Sequence, residues 1–193
     1  LRDLQLEVAA DWRPALLMEQ FNVDRQDDLT RAWQTCKRAQ CVIDAAGGQG
    51  WDWDLYKPLI QLALAYRLPL VAANLSREQL AQVIQQGFGA VFDETTIAAY
   101  GLDQPLPARW LKGQRQAIKR GHCDMLPESM VDPMVDAQTA RDVMFAELIQ
   151  AYAPQGVVLI AGNGHVRKDL GVSEWLPANL LPRVKVFGYV EPG

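Results

Sequence analysis

Short, unbroken apolar runs constrain this chain most. Ala15-Leu16-Leu17-Met18, Leu70-Val71-Ala72-Ala73 and Val157-Val158-Leu159-Ile160-Ala161 carry no polar residue to face water. A strand buried on both faces has this composition, and such strands belong to parallel sheets. Between the runs lie stretches with a helical repeat. They are Leu29, Ala32, Trp33 and Cys36; Leu55, Leu59, Leu62, Ala63 and Tyr66; and Leu80, Val83 and Ile84. The last opens at Ser76, with Gln79 as its capping-box partner, and closes at Gly87 and Gly89. Strands alternating with amphipathic helices predict an α/β fold, an open, mostly parallel sheet flanked by helices. A helix on Leu1, Leu4 and Val8 precedes the first strand and ends at Arg13-Pro14. Cys41-Val42-Ile43 reads as a further short strand, and so does Val184 to Val190, which is rich in β-branched and aromatic residues.

The pattern changes between Asp93 and Asp132. No strand run occurs there, and Pro105, Pro107, Pro127 and Pro133 punctuate short helical stretches. Residues 1–92 and 133–193 therefore read as the sheet domain, with 93–132 as a small all-helical insertion over it. The 193 residues are 49% hydrophobic and 22% charged, enough apolar material for an ordinary core. A net charge of -4 argues against a nucleic-acid-binding domain. No apolar run approaches the roughly 18 residues of a membrane span. Three cysteines, Cys36, Cys41 and Cys123, are an odd number, which argues against a disulfide-stapled scaffold. No C-x-x-C occurs, which disfavours structural zinc. Imidazole chemistry has only His122 and His165 to draw on.

In open α/β sheets, ligands bind beyond the carboxyl ends of the strands. Polar groups stand at three such ends: Glu19, Asn74 and the turn Gly162-Asn163-Gly164-His165. If their strands are neighbours, the three converge. A neutral imidazole there can bind a metal, act as a base or bond a carboxylate. The helix from about Met134 to Tyr152 places Gln138, Arg141 and Asp142 inside its apolar arc. Buried polar groups need partners, so Arg141 is expected to grip Glu19 or an anionic ligand. Gly121-His122-Cys123-Asp124-Met125 offers soft ligands with no zinc spacing. Trp51-Asp52-Trp53-Asp54-Leu55-Tyr56 reads as core packing or as the wall of a site for a flat ligand. Gly47-Gly48-Gln49-Gly50 lacks the ending of a phosphate loop, and no G-x-S-x-G elbow occurs.

An ordered set of segments carries a family resemblance. It comprises Trp53-Asp54-Leu55-Tyr56-Lys57-Pro58, the stretch Pro69 to Arg77, Gln138-Thr139-Ala140-Arg141-Asp142-Val143-Met144 and the stretch Val158 to Arg167. Met18-Glu19-Gln20-Phe21 and Gly121 to Pro127 add to it. Together they resemble the ChaN-like haem-binding lipoproteins of bacteria, grouped with Tiki metalloproteases and erythromycin esterases. The resemblance implies a sheet domain with a smaller helical domain, haem as ligand, and a role in haem or iron uptake. It also implies a pocket shared by two subunits with Tyr, His and Lys contacts, and a periplasmic or lipid-anchored location. The cofactor contacts expected on this chain are His165, Asn74 and Arg141, with His122 and Tyr100 taken from the position of the insertion and Lys112, Arg115, Lys119 and Arg120 of its helix as cations for the haem propionates. The Tiki branch shares two G-x-x-H elements and an acidic residue. Gly162 to His165 matches the second element, and Glu19 is the acidic counterpart. The first is expected on a strand just before Leu1. The alternative reading is a metal-dependent hydrolase using Glu19 and His165.

Overall fold

The computed structural model describes residues 12–189, so the expected helix on Leu1, Leu4 and Val8 lies outside the described residues. The chain divides into two compact units, one of residues 1–74 and 147–161, the other of residues 75–146 and 162–193.

The first unit holds the sheet. Its strands β1 (Ala15–Asn22), β2 (Leu70–Asn74) and β3 (Val157–Ile160) are parallel, in the order β2-β1-β3. All three come from the unbroken apolar runs. Leu17 of the central strand sits opposite Val71 on one side and Leu159 on the other. Ala15 to Met18 expose nothing, as expected of a strand covered on both faces. Helices α1 (Gln26–Thr35), α2 (Ala39–Ala46) and α3 (Trp53–Tyr66) belong to the same unit. Leu16, Met18, Phe21, Leu29, Val42, Ile60, Ala63 and Leu68 form its core, with Val158 and Ile160 packed against it. Gln26 works as a substitute strand. Its amide accepts from the Ala72 N–H at 2.7 Å and donates to the Leu70 carbonyl at 3.3 Å, satisfying backbone groups of β2.

The second unit is helical: α4 (Arg77–Gln86), α5 (Glu94–Tyr100), α6 (Ala108–Gly121) and most of α7 (Glu128–Tyr152). The capping box at Ser76 and Gln79 forms as the sequence predicts. Asp93 caps α5 by accepting the Thr96 N–H at 2.8 Å, a bond that holds its carboxyl below the ordinary value. Trp110, Ile118, Val135 and Leu170 make a separate core. Gly113 admits Leu170, whose side chain would lie 2.7 Å from any Cβ there, and the Gln114 amide donates to the Leu170 carbonyl at 3.0 Å. Ion pairs tie α6 to α7: Arg115 with Asp132 at 2.6 Å, and Lys119 with Glu128 at 2.6 Å.

The structure corrects several expectations. Cys41-Val42-Ile43 is helix, because Ala39, Val42, Ile43 and Ala46 bury one helical face at i, i+3, i+4 and i+7. Residues 184–189 form no strand, and Phe187 and Tyr189 stand exposed. Their β-prone side chains have no pleated neighbour to pack on among the described residues, and β propensity depends on one. The long helix starts at Glu128, running through Pro133, rather than at Met134. Cys36 and Cys41 form a disulfide between α1 and α2, Cα atoms 5.7 Å apart, while Cys123 is free and exposed. An odd count left room for one bridge.

Candidate functional site

At the carboxyl end of the sheet, β1 does not stop at Glu19. Met18 pairs with Ala72, and the next pairing is Asn22 with Asn74. Four residue steps along β1 therefore span two along β2, an irregularity of the bulge type. The extra residues carry Phe21 onto the face of Leu16 and Met18, although simple alternation would send it to the other. They also bury Glu19 and Gln20, which are 7% and 1% exposed, beside Asn74 at 9%. The Gln20 carbonyl accepts from the Gly48 N–H at 3.3 Å, bringing the glycine loop onto the bulge. Among the described residues the Gln20 side-chain oxygen has no hydrogen-bond partner.

The aromatic segment after that loop is built into the core. Trp53 stacks on Phe21 with ring centres 5.3 Å apart, and its indole N–H donates to the Gly48 carbonyl at 3.2 Å. Trp51 meets Tyr56 edge-on at 5.8 Å.

The second unit contains the Gly162–His165 turn, closed by the His165 N–H donating to the Gly162 carbonyl at 3.0 Å. The backbone behind it is fixed as well. The His165 carbonyl accepts from the Val172 N–H at 2.8 Å, and a Cβ at Gly171 would collide with that carbonyl. His165 is 5% exposed, and its imidazole meets three side chains of α7. Nδ1 lies 2.7 Å from Oδ1 of Asp142, a residue with no exposed surface. The Gln138 amide nitrogen is 3.0 Å from Nδ1 and 3.3 Å from Nε2. Phe145 meets the ring edge-on, centres 5.0 Å apart. Positions 138, 142 and 145 share one helical stripe, which explains why a single helix supplies all three. Sequence reasoning singled out His165 but looked to Arg141, which is half-buried on the same helix. The missed residue is Asp142. Its signal was the pair of polar residues four apart inside an apolar arc.

The other candidates lie elsewhere in the second unit. Tyr100 ends α5 and tilts against Trp175 at 6.5 Å, and Trp110 meets Trp175 edge-on at 5.6 Å. The indole N–H groups of Trp110 and Trp175 and the Ser173 hydroxyl are buried without hydrogen-bond partners among the described residues. His122 caps the end of α6, its Nδ1 2.8 Å from the Ile118 carbonyl, and so has a local structural bond. Lys112 and Arg120 are exposed on α6. Arg115 and Lys119 pair on the surface with Asp132 and Glu128. Among the described residues no group of three or more His, Cys, Asp or Glu side chains is arranged to hold a metal ion.

A family model described as haem-binding uptake, Tiki superfamily, ChaN matches residues 1–176. The chain belongs to this family. A solved structure of the ChaN family, titled cofacial heme binding to ChaN of Campylobacter jejuni, shares the fold with a TM-score of 0.69 at 19% identity. That match covers 89% of the present chain and 66% of the Campylobacter chain, so the sequence spans just under two thirds of that relative's length. No curated protein matches. In this ChaN-family chain the Val158 to Arg167 segment of the resemblance carries His165, and the Gln138 to Met144 segment carries the side chains Gln138 and Asp142 that hold its ring.

Proposed function

We propose that this chain binds haem as cargo in haem or iron uptake. The observation that carries the reading is the family match over residues 1–176. The residues present suit such a molecule. Haem offers a flat apolar face and two carboxylates, and its binding sites pair apolar walls with a few placed polar groups. In the second unit, the aromatic rings of Tyr100, Trp110 and Trp175 cluster, and the indole N–H groups of Trp110 and Trp175 are buried without hydrogen-bond partners among the described residues. His165 supplies an imidazole, and Lys112 and Arg120 supply exposed cations. Arg141 and His122, of the same unit, complete the proposed contacts.

Two subunits sharing the haem, and a lipid anchor holding the protein in the periplasm, belong to the same proposal. The Cys36–Cys41 disulfide supports an exported location, because disulfides persist in oxidising compartments.

Titrating the purified chain with hemin while recording visible spectra tests the reading. A saturable Soret shift at micromolar hemin is expected. Its absence overturns the proposal.

A further inference from the structure

The two nitrogens of His165 are not equivalent. An ionised carboxylate only accepts hydrogen bonds, so the 2.7 Å contact with Asp142 puts a proton on Nδ1. An amide nitrogen only donates, and a protonated Nδ1 has no lone pair to offer it. Its near-equal distances, 3.0 Å from Nδ1 and 3.3 Å from Nε2, put the Gln138 amide nitrogen over the ring face rather than along the in-plane lone pair of either nitrogen. With Asp142 ionised, the shared proton sits on Nδ1, and the neutral ring then carries its lone pair on Nε2. Phe145 against the ring, 86° between planes, restrains rotation about the bond that Asp142 anchors.

We propose that Asp142 is a positioning residue. Through Nδ1 it fixes the tautomer and plane of His165, so that Nε2 keeps its lone pair for a ligand. A bound haem group would meet His165 at Nε2, with Gln138 moving off the ring face. Gln138 is half-buried and can swing out, whereas Asp142 is fully enclosed and cannot. The identity of the ligand rests on the haem reading; the tautomer does not.

The chain has only two histidines, so nitrogen-15 labelling of histidine gives two ring systems, and those lost in His165→Asn identify His165. The expected wild-type result is a proton on Nδ1 and an unprotonated Nε2. Asp142→Asn should move the proton toward Nε2, while Asp142→Glu should restore it to Nδ1. In hemin titrations, Asp142→Asn should weaken binding about tenfold or more, the size of a lost charged hydrogen bond. In a His165→Ala background the same change should have no further effect. A wild-type ring protonated on Nε2 overturns the proposal, and so does an Asp142→Asn loss that persists without His165. If wild-type protein takes up no hemin, the haem reading fails, and the ring measurement still decides the role of Asp142.

Discussion

Asp142 has no exposed surface, and the His165 ring N–H reaches its carboxylate at 2.7 Å. His165→Ala removes that hydrogen bond from a fully buried carboxyl group, a change that costs about 2 kcal/mol. A lower urea midpoint with an unchanged slope would register it. Gly171 is constrained by volume rather than charge. A methyl group there meets the His165 carbonyl, so Gly171→Ala should destabilise by about 2 kcal/mol and disturb the turn that presents the imidazole. Asp136 behaves in the opposite sense. Burial, with Asp132 one helical turn away, pushes its carboxyl above the ordinary value of 3.8. In the folded protein the neutral form is favoured. No penalty exists while both states are protonated, and stability is lost as pH rises past the unfolded value. Asp136→Asn should therefore raise the melting temperature at neutral pH and leave it unchanged at about pH 3. His165 was legible in the sequence because a Gly-rich turn directly follows an apolar strand. Asp142 was not, because helical spacing shows which residues share a face but not what lies opposite them.

Among the elements, α4 shows local chemistry that survives into the fold. Ser76 accepts the Gln79 N–H at 3.3 Å, and the Gln79 side chain accepts the Ser76 N–H at 2.8 Å. Ser76→Ala should cost about 1 kcal/mol, measured by thermal or urea unfolding. Replacing Cys36 and Cys41 by serine opens a short loop between α1 and α2. On the chain-entropy account that loses about 2 kcal/mol, and reduction of the wild-type protein should reproduce the loss. The three β-strands were legible because unbroken apolar runs admit few alternatives at that length. The helix at Ala39 was misread as strand because Val42-Ile43 is too short a run for periodicity to decide, and the flanking alanines that complete the helical face are inconspicuous. The bulge in β1 had no sequence signal at all. It follows from the pairing of β1 with β2, where Asn22 meets Asn74.

For the whole molecule, family membership supports what a local reading of residues does not, the proposal of haem as cargo. If two copies share the ligand, hemin should double the sedimenting mass of the chain, and a mass that stays at one chain with hemin bound would exclude that arrangement. The sequence by itself determined the class of fold, the parallel strands, the capped helices and the imidazole after the third strand. Each of these depends on a few neighbouring residues, whose apolar period or turn chemistry is written in order along the chain. Only the tertiary structure decided the disulfide, the bulge that buries Glu19 and Gln20, and the grip of Gln138 and Asp142 on His165. Those depend on contacts between residues distant in sequence, and such contacts form only once the elements have packed.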